Sequence, residues 1–170
     1  MTVQLIGIAT ANPASFSAGY NNLLFCFRYI ADYSGSVTGI NVKSNGNSAC
    51  KVALYADNSG EPGARLAKQD TPASISEGWN TVSLEAAYSI TQGTYYWIAF
   101  AGNDSFYYQA TSSGAARRYK AITYSTFSFP DPAGSGYTSD TSNPLGLQGW
   151  GDLAVVYIPN RPFYPHILAQ

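Results

Sequence analysis

Few residues in this chain could make or break a bond. There is one histidine, His166, in the segment PNRPFYPHILAQ. Any Ser-His-Asp or Cys-His relay would have to use it. A tail with three prolines lacks the rigid framework a catalytic base needs, so packing or solvent exposure is the expected role of His166. Gly-x-Ser-x-Gly and Walker-type phosphate loops are absent. Paired carboxylates could hydrolyse glycosides. Most of the acidic residues fall in turns, however, where Asp caps the backbone, so a glycosidase is not expected. Asp57, Asn58, Ser59 and Glu61 gather oxygens in one tight turn. Calcium needs about six to eight oxygens, and no EF-hand spacing surrounds this turn. A hydrogen-bonded hairpin turn is the expectation, and Asp104 reads the same way. Cys26 and Cys50 sit in strand-like runs, with no CxxC or Cys/His cluster. They are either two buried thiols or, in an oxidising compartment, a bridge between neighbouring strands. The expectation is a protein with no catalytic residue, no metal and no cofactor.

Aromatic side chains are the positive feature: 14 Tyr, 8 Phe and 3 Trp. Exposed Trp and Tyr faces stack on sugar rings while Asn, Gln and Asp fix hydroxyls, and the same residues are enriched at protein interfaces. Candidate ligand or partner contacts are Tyr107, Tyr108, Phe127, Phe129, Tyr137 and Trp150, which lie with Tyr124 on or beside the later loops. Aromatics in strands usually pack. Core is therefore the expected place of Trp97, while Tyr137 and Trp150 stay open between core and contact. Phe163, Tyr164, Ile167 and Leu168 are too apolar for a free tail and are candidate assembly contacts.

The elements that would position these groups are strands. Helical periodicity is nearly absent; the best helical candidate, 62–68, also reads as a turn plus strand. Apolar spacing of two, or short continuous apolar runs, marks strands at 3–9, 23–30, 36–43, 49–56, 80–85, 94–101, 105–109, 118–124 and 152–158. In the third run Thr38, Ile40 and Val42 share a face. In the fourth, Cys50, Val52 and Leu54 oppose Lys51, Ala53 and Tyr55. In 80–85, Val82 and Leu84 point inward. TYYWIAFA is apolar on both faces, as a central strand is. Turn chemistry at 45–47 and 57–63, and before strands at Gly78 and Gly93, separates the runs. The fold class is all-β: a two-sheet antiparallel sandwich. Residues 1–158 form one domain, and 159–170 form an extended Pro-rich tail. The stretch 125–151 is long and rich in Pro, Gly and Ser, as functional loops are.

Charged residues make up 11% of the chain and the net charge is −1, so the basic footprint of a nucleic-acid binder is missing. No apolar run approaches the about 20 residues of a membrane span. MTVQLIGIATANPASF has no basic n-region and does not read as a secretory signal. The low charge and the abundance of Gly, Ser, Thr and Asn suit an extracellular or virion-surface setting.

Three runs resemble a known module. They are VALYADNSGEPGA (52–64), GWNTVSL (78–84) and GTYYWIAF (93–100), followed by FPDP (129–132) and a closing strand. Together they resemble a jelly-roll-like accessory module of secreted bacterial and archaeal proteins and some phage proteins, of the carbohydrate-binding-like or anchoring type. The resemblance covers roughly two-thirds of the chain by its motifs. It implies a jelly-roll-like sandwich with Trp79 and Trp97 at core positions, and it brings no catalytic residue. The functional expectation is a non-catalytic structural or interaction protein. It would be a subunit of a virion, fibre, filament or other surface assembly, acting as a homo-oligomer or within a larger assembly. The alternative is a carbohydrate-binding or adhesion module with a glycan partner.

Overall fold

A computed structural model describes residues 1–8, 15–17, 22–103, 106–108, 116–140 and 145–154. Its strands are β1 (Thr2–Gly7), β2 (Ser15–Ser17), β3 (Leu23–Ile30), β4 (Gly35–Ser44), β5 (Ser48–Asn58), β6 (Glu61–Ile75), β7 (Gly78–Ile90), β8 (Tyr95–Gly102), β9 (Phe106–Tyr108), β10 (Arg117–Ala121), β11 (Thr138–Asp140) and β12 (Leu147–Leu153). No helix occurs among the described residues.

Two antiparallel sheets pack face to face. The first has the order β1-β12-β4-β7, with a short β2–β9 pair attached to β4 through Ser44 and Phe106. The second has the order β11-β10-β3-β8-β5-β6. The chain shuttles between them, so most neighbours in a sheet are distant in sequence. The architecture is compatible with a jelly-roll-like module.

The central strands of the second sheet are apolar on both faces because both faces are covered. Tyr96, Ile98 and Phe100 of β8 join Phe25, Phe27, Cys50, Val52 and Leu54 in the core between the sheets. Trp97, Ala99 and Ala101 point the other way, into a second core with Leu24, Cys26, Ala53 and Tyr55. The alternation read from β5 is therefore correct on both faces. Val82 and Leu84 likewise point inward.

Several expectations change. Segment 62–68 belongs to the edge strand β6, and Pro62 is tolerated there because an edge strand keeps one unpaired side. Thr38 does not share a face with Ile40 and Val42. A bulge between Val37 and Gly39 puts Val37 inward and leaves Thr38 exposed. Residues 45–47 cross between sheets without positive φ. The stretch 125–151 is not one open loop: it holds β11, most of β12 and a strap over the second core. The strand expected at 152–158 begins earlier, at Leu147, and residues 155–158 lie outside the described residues. Gly-rich β12 is a strand because its glycines are required. A Cβ on Gly149 would come within 2.5 Å of Ile6 Cγ2, and one on Gly151 would run into the Ser36 backbone.

Candidate functional site

The Asp57 turn is a two-residue hairpin connection from β5 to β6. Ser59 and Gly60 both have positive φ, 53° and 89°, as a type I′ turn requires. Its oxygens already have partners. Asp57 accepts from Arg28 Nε and Nη2, both at 2.8 Å, from Trp97 Nε1 at 2.8 Å, and from Gly60 N at 3.2 Å. Partial burial works against this carboxylate, but the bonds from Arg28, Trp97 and Gly60 outweigh it and hold its pKa below the ordinary value. Glu61 takes both Nε and Nη2 of Arg118 at 2.7 to 2.9 Å, and this pairing lowers its pKa. The group is a hydrogen-bonded turn that welds β3, β8 and β10 to the hairpin.

The strap, residues 122–137, seals the outer face of the second sheet. Phe129 is 1% exposed and packs edge-on to Tyr55 and Phe127. Polar bonds fasten the strap at several points. Tyr55 Oη donates to Pro130 O at 2.9 Å, buried Lys51 donates to the carbonyls of Tyr124 and Phe127, and Arg65 donates to Phe129 O. Asp70 receives Ser128 Oγ at 2.6 Å and Phe129 N at 3.0 Å. Tyr137 lies half-buried on this core, its hydroxyl donating to Ala133 O at 3.1 Å, with Lys120 over its ring at 4.3 Å. Among the candidate contacts, Phe129 is thus a core residue, and Phe127 and Tyr137 are largely used in fastening the strap. Sequence cannot separate a sealing aromatic from a ligand-facing one, because both occur in Pro- and Gly-rich segments.

The outer face of the first sheet is built differently. Gln148, Asn41 and Thr81 are direct cross-strand neighbours on β12, β4 and β7. Thr81 Oγ1 donates to Asn41 Oδ1 at 2.7 Å, and Asn41 Nδ2 donates to Gln148 Oε1 at 3.5 Å. The same Gln148 oxygen accepts Trp150 Nε1 at 2.9 Å, while Gln148 Nε2 donates to Ile8 O at 2.7 Å. Gln148 is buried and holds Trp150, which is half-buried. Trp79 on β7 is 41% exposed, with Lys43 Nζ 5.7 Å from its ring centre. The resemblance implied a core position for Trp79. The structure places it on the solvent face, because Val82 and Leu84 fix the inward register of β7 and Trp79 alternates away from them.

Gln4 is the cross-strand neighbour of Trp150. It also lines a groove of about 500 Å³ with Asp32, Tyr33 and Gln92. Tyr33 is 51% exposed. Partial burial raises the Asp32 pKa. No sequence signal marks these groove residues, since Asp32-Tyr33 looks like an ordinary turn.

One end of the sandwich exposes several large apolar side chains beside the carboxylates of Asp32 and Asp152. Met1, Ile30, Tyr33, Tyr95 and Leu153 are exposed there. Pairing of Thr2 with Asp152, Ile30 with Tyr95 and Gly35 with Leu153 brings them to the same end. Ala154 is held at this end by its amide, which donates to Ser34 O at 3.0 Å.

Tyr107 and Tyr108 lie on β9, beside the end of β4; their side chains lie outside the described residues, as do Phe163, Tyr164, His166, Ile167 and Leu168. Cys26 and Cys50 are free, buried thiols. They occupy opposite faces of the second sheet on strands separated by β8, beyond the about 7 Å Cα span of a disulfide. No helix among the described residues is long and apolar enough to cross a membrane.

The fold and these surfaces define an all-β antiparallel sandwich with one sealed face. A scan against protein-family models finds no matching family, and comparison with curated proteins finds no match.

Proposed function

We propose that this chain is a non-catalytic structural or interaction protein of a surface assembly such as a virion, fibre or filament. Its setting in this reading is extracellular or on the virion surface, as a jelly-roll-like module contacting copies of itself or other subunits. The observation that carries the reading is the gathering of the exposed apolar side chains of Ile30, Tyr33, Tyr95 and Leu153 at one end of the sandwich. Exposed apolar groups gathered at one pole mark contact surfaces, and a Pro-rich tail suits docking on a neighbour. Size-exclusion chromatography with light scattering tests it. Concentration-dependent oligomers are expected, weakened at least about tenfold by Ile30→Ser with Leu153→Ser and abolished by removing 159–170. A strict monomer at high concentration sinks the reading.

A carbohydrate-binding or adhesion role is the second reading. The ladder Thr81–Asn41–Gln148–Trp150 favours it, since it presents the Thr81 hydroxyl and the Asn41 amide beside the half-buried Trp150 indole.

A further inference from the structure

We infer that the outer face of the first sheet is a diagonal track for a linear, uncharged glycan chain, running from Trp79 on β7 past Asn41 and Trp150 to the Tyr33 groove beyond β1. This rests on the carbohydrate-binding reading and adds a location, a direction and a ligand class.

The register of the sheet sets the path. Trp79 pairs with Lys43, Thr81 with Asn41, Asn41 with Gln148, and Trp150 with both Gly39 and Gln4. The path advances from the level of Lys43 to that of Gly39 as it crosses from β7 to β12, then crosses level to Gln4 on β1. Trp79 and Trp150 are two strands and four positions apart, roughly 17 Å between their Cα atoms at ordinary strand spacings. That distance fits a short oligosaccharide rather than a single ring. Gly39, on β4 opposite Trp150, adds no side chain between the indole and Ser83 on β7.

The chemistry sets the ligand class. Trp79 and Tyr33 are exposed aromatic side chains and stand at the two ends of the path. Flat aromatic faces stack on the C–H faces of sugar rings. Between them, Thr81 and Asn41 offer neutral donors and acceptors held by cross-strand bonds, so little ordering is lost on binding. Buried Gln148 acts as a positioning residue, fixing the Trp150 indole through its amide oxygen. Charge is sparse: Lys43 lies over Trp79, and Asp32 lines the groove with Gln4 and Gln92. A polyanionic chain would meet the Asp32 carboxylate, whereas hydroxyl groups find Thr81 and Asn41 in mid-route and Gln4 and Gln92 in the groove.

Titration calorimetry and intrinsic fluorescence with neutral β-linked oligosaccharides (cello-, manno- and chito-series, disaccharide to hexasaccharide) test the track. Affinity should climb with chain length and then level off. Trp79→Ala and Tyr33→Ala should each weaken the longest ligands about tenfold while barely changing binding of the disaccharide. Both side chains are exposed, so melting curves of these variants should match the parent. Gln148→Leu should weaken binding and alter Trp150 emission. No binding by any neutral series overturns the glycan reading together with the track. Glycan binding that survives Trp79→Ala combined with Tyr33→Ala overturns the track alone. So does a preference for polygalacturonate over every neutral chain.

Discussion

At Asp57 one carboxylate holds three strands together through Arg28, Trp97 and the Gly60 amide. Asp57→Asn keeps the shape but removes the charge, and should cost about 2 kcal/mol in chemical denaturation. The sign of its pH dependence follows from the lowered pKa values of Asp57, Glu61 and Asp70. At neutral pH all three are ionised and their contribution is fully present. As pH falls below the ordinary carboxylate range, near about 4, the unfolded chain takes up protons first. Stability then declines until pH passes below the folded-state values. The Asp57→Asn variant should show a shallower acid limb than the parent in melts below about pH 5. The two thiols make a contrasting case. Burial pushes both Cys26 and Cys50 up to about 12, so neither forms a thiolate at neutral pH. Ellman's reagent should leave the native protein unlabelled and find two thiols after denaturation. Rapid labelling of the folded protein would contradict their burial.

Among elements, legibility followed the number of buried faces. β8 and β5 read clearly because their side chains have apolar destinations on both sides. β6 did not, since PGARLAKQDTPASI carries no clean alternation; it is an edge strand, and its outer side must be polar. Its exposed backbone is managed by partners that no sequence period reveals. Gly63 O accepts Ala133 N at 2.9 Å, Arg65 N reaches Asp131 Oδ1 at 2.9 Å, and Asp70 N reaches Glu85 Oε1 at 3.2 Å. Such capping protects an edge from pairing with another chain. Asp131→Ala frees the Arg65 amide and loosens the strap, and should raise thioflavin-positive aggregation on prolonged incubation. Phe129→Ala removes the ring that plugs the second core and should cost about 3–5 kcal/mol. An effect under about 1 kcal/mol would show that the strap is not a structural seal. On the first sheet, the Trp150 ladder was only half legible. Trp150 stood out by type, but its neighbours Asn41, Thr81 and Gln148 came together only once register placed β12 beside β4 and β4 beside β7.

For the whole molecule, almost every strand pairs with one far away in sequence: β1 with β12, β3 with β8 and β10, β4 with β12. Closing such loops before any reward arrives slows folding. Refolding in stopped-flow experiments should take milliseconds to seconds rather than microseconds. The two apolar cores should be lost together if the strap is integral, giving coincident transitions by near- and far-ultraviolet dichroism.

The three indoles sit at three depths: Trp97 is 0% exposed under the strap, Trp150 is half-buried and Trp79 is 41% exposed on the other sheet. The molecule thus carries its own depth gauge. Iodide should extinguish the emission of Trp79 first and leave a blue-shifted residue from Trp97. An occupant settling on the first sheet would shield the quenchable fraction only, whereas peeling of the strap would redden the protected one.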